Sequence, residues 1–136
     1  MQVFSRLGST VYTILKTKVE KAMVNTYPSI SFSDEPSDKD PSFPNVFFQQ
    51  LQPVETGQDL ERRKINGVLD TVQITVTTNT SKADANKVVW ACVDALKDIM
   101  YDVVGMPVYE LRTRENSKVH TYNIRARRNI AENDIL

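Results

Sequence analysis

The sequence predicts an α+β fold, in which a mainly antiparallel sheet packs against an N-terminal helix and a long second helix. Three observations predict it. Two segments repeat apolar residues every three or four positions, and the segments between and after them alternate in polarity or are rich in β-formers. The helical segments are also separated by runs of strands instead of alternating with them one for one, which argues against a doubly wound parallel sheet. With 136 residues and 40% hydrophobic content the chain suits one core, so residues 1–136 are expected to form a single domain.

The first helix is expected over residues 5–25. Leu7, Val11, Ile14, Leu15, Val19, Ala22 and Met23 make one stripe, with Lys16, Glu20 and Lys21 off it. Those charges also break the segment before it could span a bilayer or act as a signal core, so no membrane role is expected. Tyr27-Pro28 ends the helix, because a residue before proline is pushed out of the α region. A short strand at 29–33 follows, with Ile30 and Phe32 on its buried side.

Residues 34–44 hold three prolines and four acids among small polar residues, the composition of a loop. A strand is expected at 45–52, where Val46, Phe47 and Phe48 supply β propensity and Pro53 closes it. The polar stretch 55–66 reads as a second long loop. Residues 68–78 give the clearest strand: Val72, Ile74 and Val76 alternate with Thr71, Gln73, Thr75 and Thr77.

Ser81 is the expected N-cap of the second helix, with Asp84 three residues on as an imperfect capping-box partner. That helix is expected to run from 82 to about 104 on Ala85, Val88, Val89, Cys92, Val93, Leu96, Ile99, Met100 and Val103, stopped by Gly105 and Pro107. A hairpin of 108–113 with 119–128 closes the fold, with Tyr122, Ile124 and Ala126 on one face. Residues 129–136 have no clear period and read as an arm.

Composition excludes several kinds of chemistry. The 17 basic and 17 acidic side chains cancel, which leaves no whole-chain field for a polyanion. One Cys and one His are too few for a zinc site or an internal disulfide, and Cys92 falls on the packing face of a helix. The glycines are isolated, so no phosphate-cradling loop exists and no cofactor is implied. His120 lies in an alternating strand with no nucleophile or orienting acid placed beside it by sequence. The acids Asp34, Glu35, Asp38 and Asp40 lack the central Gly and closing Glu of a calcium loop. No catalytic or metal-binding residues are therefore assigned, and the chain is not expected to be an enzyme.

Two charged groups remain as candidate interface residues: Glu61, Arg62, Arg63 and Lys64 in the loop at 55–66, and Arg125, Arg127 and Arg128 near the end of the last strand. Alternation places Arg125 and Arg127 together, away from Ile124 and Ala126. Arginine there suits either a solvated sheet edge or planar contacts to carboxylate or phosphate.

The run VLDTVQITVTTN at 68–79 leads into KADAN at 82–86, then an amphipathic helix and a closing strand ending NIRARR at 123–128. Upstream, an amphipathic helix leads into Tyr27-Pro28 and then NVFFQQL at 45–51. This order resembles the tail terminator and minor tail proteins of long-tailed bacteriophages, along with related neck proteins. The resemblance implies a virion protein assembled in the host cytoplasm. Its subunits would form a ring, usually hexameric, that caps the tail tube, meets the head-completion or neck proteins and lets DNA pass through its channel. The cancelled charge suits such a conduit, since a strongly basic lumen would hold DNA through counterion release. A neck or head-closure subunit of the same lineage is the alternative, and a nucleic-acid-binding module a more distant one.

Overall fold

A computed structural model of the chain describes residues 7–35, 42–58, 65–114 and 117–131. In chain order the elements are α1 (Leu7–Met23), β1 (Ser31–Ser33), β2 (Asn45–Gln50), β3 (Val54–Gln58), β4 (Ile65–Thr78), α2 (Lys82–Asp98), β5 (Asp102–Val103), β6 (Val108–Arg114) and β7 (Ser117–Ala131). All the strands join one sheet, antiparallel except for the β1–β2 pair, and the α+β expectation is met.

The sheet is built around the two longest strands. β4 and β7 pair antiparallel from Gly67↔Ala131 to Thr78↔His120. The far side of β4 is shared end to end by β2, against Val72 to Thr77, and β3, against Ile65 to Leu69. The far side of β7 is shared in the same way by β6 and β5. β1 adds to β2 as an edge.

Both helices lie on one face. The stripe of α1 buries Leu7, Val11, Leu15 and Val19, a four-residue repeat, and Tyr12 meets Phe48 of β2 with ring centroids 5.6 Å apart. α2 covers β4 and β7 with Ala85, Val88, Val89, Cys92, Val93 and Leu96. The helices run antiparallel: Lys18 Nζ stands 3.9 Å from Asp98 at one end, and the Tyr27 hydroxyl donates to Asp84 at the other, 2.9 Å. Val72, Ile74, Val76, Tyr122, Ile124 and Ala126 meet the helices from the sheet.

Three element boundaries correct the sequence expectations. First, the stretch 55–66 is not loop throughout. β3 occupies Val54–Gln58 and β4 starts at Ile65, because beyond the end of β2 at Gln50 the chain continues in the same direction along the first half of β4, which would otherwise be unpaired. Register shifts between Glu55 and Gln58 absorb the mismatch. Second, the arm expected from 129 is strand as far as Ala131, anchored by Ile130, which is 1% exposed.

Third, α2 stops at Asp98, well short of Gly105. The Met100 amide donates to Lys97 O and the Tyr101 amide to Leu96 O, the paired bonds of a Schellman cap, with Met100 left-handed at φ 68°. The apolar period continues past this point only because Ile99 and Tyr101 turn inward from a non-helical backbone. A left-handed non-glycine residue carries strain of roughly 1–2 kcal/mol, and the Met100 side chain is 72% exposed. Met100→Gly is therefore expected to stabilise the fold by about 1 kcal/mol, read as a higher urea midpoint at unchanged slope.

Candidate subunit interface on the open sheet face

Strand alternation gives the sheet two unlike faces. The face away from the helices carries Asn45, Phe47 and Gln49 of β2, Thr71, Gln73, Thr75 and Thr77 of β4, and Asn123, Arg125, Arg127 and Asn129 of β7; Thr121, in phase with them, is buried at 1% exposure. No helix among the described residues covers it. Its side chains bond across the rungs: Thr75 Oγ1 donates to Asn123 Oδ1 at 2.7 Å, and Arg125 Nε donates to Gln73 Oε1 at 3.2 Å. Such cross-strand pairs order a polar surface without burying it.

The predicted arginines divide between the two faces. Arg125 and Arg127 are exposed together on the open face, as the alternation requires. Arg125 is steadied by Gln73, whereas Arg127 has no bonding partner among the described residues. Arg128 turns to the helix side, half-buried, and donates from Nη1 to the Ile99 carbonyl at 2.9 Å. Glu61, Arg62, Arg63 and Lys64 lie outside the described residues. Asp34 and Glu35, just past β1, are exposed on the opposite edge of the sheet. Asp38 and Asp40 also fall outside the described residues.

Beneath the sheet sits a buried polar cluster that the sequence reading passed over. Asp70 is 0% exposed and accepts from Gln50 Nε2 at 2.7 Å and from the Tyr101 hydroxyl at 2.6 Å, while Arg128 stands opposite it in register. Burial, and then the bond to Asp70, push the Tyr101 phenol well above its ordinary pKa. Gly8 makes room for this arrangement: a Cβ on it would collide with the Gln50 side chain. The signal was present in the phase of β4, since Asp70 lies on the same side as Val72, Ile74 and Val76, where an unpaired carboxylate would be costly.

The other titratable groups read as structural. Burial pushes the Cys92 thiol up to about 12, which keeps it protonated and inert. His120 Nδ1 lies 2.7 Å from the Tyr109 hydroxyl, and Lys82 Nζ sits 4.5 Å above the Tyr109 ring. These groups fasten β6 and β7 to the start of α2. Ser81 Oγ accepts from the Asp84 amide at 3.2 Å, the expected cap. The Asp84 carboxylate does not complete a capping box; its bonds from Thr80, the larger effect, and from Tyr27 hold its pKa below the usual range. No cluster of metal-ligating residues occurs among the described residues, and none of their helices is long and apolar enough to cross a membrane.

Exposed apolar side chains gather on the connection from α2 to β6. Met100, Val104, Met106 and Val108 are each at least half exposed, and a cleft of about 480 Å³ opens between this connection and Trp90. Single exposed apolar residues are ordinary, but a group of this kind next to a tryptophan has the composition of a protein contact.

No family model matches the sequence, and no curated protein matches it. Among solved structures, that of bacteriophage SPP1 gp17 protein overlays on 93% of this chain and 94% of its own, with a TM-score of 0.44 and 15% sequence identity. An overlay at that level carries no argument about what this chain does.

Proposed function

We propose that the chain is a structural subunit of a long-tailed phage particle, a tail terminator that closes into a ring at the end of the tail tube. The observation that carries this reading is the open sheet face. Across β2, β4 and β7 it presents Thr, Gln, Asn and Arg in a regular array, bonded rung to rung yet left without cover. The residues of the face gather no nucleophile with a base and an orienting group, so the array suits contact with protein or passing DNA and not covalent chemistry. The order of helix, strands, helix and closing strands, from which the resemblance to tail terminators was drawn, also runs through the described residues.

A ring needs two different surfaces on each subunit, since contacts that repeat head to tail are heterologous. A sheet with two unlike edges supplies them. The deciding measurement is particle mass together with negative-stain imaging, with and without tail-tube protein. Closed rings that seat on tube ends are the expected result. A chain that stays monomeric and ignores the tube would sink the proposal, and rings that bind the head vertex but no tube would assign it to the neck instead.

A further inference from the structure

We propose that the ring closes edge to edge, with Asp34 and Glu35 of one subunit meeting Arg125 and Arg127 of the next. The inference rests on the ring reading above and names the contact that would make the ring.

The two charged groups occupy opposite sides of one sheet. In the strand order β1-β2-β4-β7-β5, Asp34 and Glu35 follow the strand at one edge, and Arg125 and Arg127 sit on the strand next to the other. They are also nearly level. β1 reaches Phe47 at Ser33, and Gln49, two residues beyond Phe47, lies on the Gln73–Arg125 rung. All four side chains are exposed. Asp34, Glu35 and Arg127 make no hydrogen bond or ion pair with a described residue, and Arg125 spends only one donor on Gln73. Among the described residues, Asp102 faces Arg127 in register with no ion pair between them.

The whole chain is neutral, with 17 charges of each sign, and among the described residues acids past one edge strand face arginines on the strand next to the other edge, which makes the sheet dipolar along the line joining neighbours. Identical dipolar subunits associate head to tail, acid to base, and cannot pair the same patch with itself without repulsion. Each side also carries an apolar complement: Val54 is 58% exposed on the β3 side, and Val104, Met106 and Val108 are 50%, 70% and 64% exposed beside the arginines. Charge thereby sets the register of the contact, and apolar burial adds strength.

The test uses two charge-reversed full-length chains, Arg125→Glu/Arg127→Glu and Asp34→Lys/Glu35→Lys, each checked for native circular dichroism and followed by sedimentation velocity over a concentration series. Either chain alone carries like charges on both surfaces, so its self-association is expected to weaken on the order of a hundredfold. An equimolar mixture restores acid against base at every contact and is expected to regain wild-type assembly as an alternating ring. A purely structural role for these residues would give no such rescue. The inference is overturned if the arginine-reversed chain assembles like the wild type, or if the mixture stays dissociated. A wild type that is monomeric at every concentration, both alone and with tail-tube protein, removes the ring reading itself, and the contact with it.

Discussion

Asp70→Ala is expected to destabilise the protein by about 3–5 kcal/mol, the largest effect expected of any polar substitution among the described residues. The change strips the shared acceptor from a cluster whose centre, Asp70 and Tyr101, is buried, leaving the Gln50 amide, which donates over 2.7 Å, and the Tyr101 hydroxyl, which donates over 2.6 Å, without partners. Removing one member of a buried charged network costs more than the bonds themselves are worth, because the groups left behind are desolvated and unpaired. Tyr101→Phe removes one donor and leaves the carboxylate its other partners, so a smaller loss of about 1–2 kcal/mol follows. Equilibrium urea unfolding reads both. A loss under 1 kcal/mol for Asp70→Ala would mean that the cluster does not tie β2, β4 and the end of α2 together.

Ile130→Ala should cost about 3 kcal/mol, in the range of other large-to-small core changes. The side chain is 1% exposed and sits opposite Val68, so its truncation leaves a cavity in the core on the helix side of β4 and β7. A frayed arm would lose almost nothing from the same change. The comparison therefore separates a strand that runs through Ala131 from the arm that the sequence suggests.

These two positions also show what was legible in the sequence. Where an apolar period and its punctuation agree, the reading held: the alternation around Val72, Ile74 and Val76, the Ser81 cap and the four-residue repeat of α1 all appear in the fold. The reading failed where tertiary partners overrode local pattern. The apolar period of α2 runs on to Val103, but Tyr101 reaches its acceptor only if the helix has already ended. Residues 54–58 are too polar to look like a strand, and they pair because half of β4 would otherwise be an open edge. Asn129 and Ile130 have too short a pattern to register, yet β4 supplies their partners.

The candidate interface was legible only in halves. Alternation located Arg125 and Arg127 on one face and put Arg128 out of phase with them, as the fold has it. What no spacing reveals is that Asp34 and Glu35, some 90 residues earlier, lie across the sheet at nearly the same level. That relation depends on strand order, and strand order is a property of the assembled sheet.

The central position of β7 sets a timetable for synthesis. β4 is made before its long partner β7, and the two are separated by α2 and two further strands. Until residues near 131 have cleared the ribosome, one side of β4 has no partner to bond along its length, and Val72, Ile74 and Val76 lack half of the sheet that packs beside them. Pairings of such long sequence separation form slowly, and an unpaired apolar strand invites association with other chains. A ribosome-stalled chain ending near residue 115 is thus a species for holding chaperones, whereas one that has released β7 has the long partner of β4 to hand.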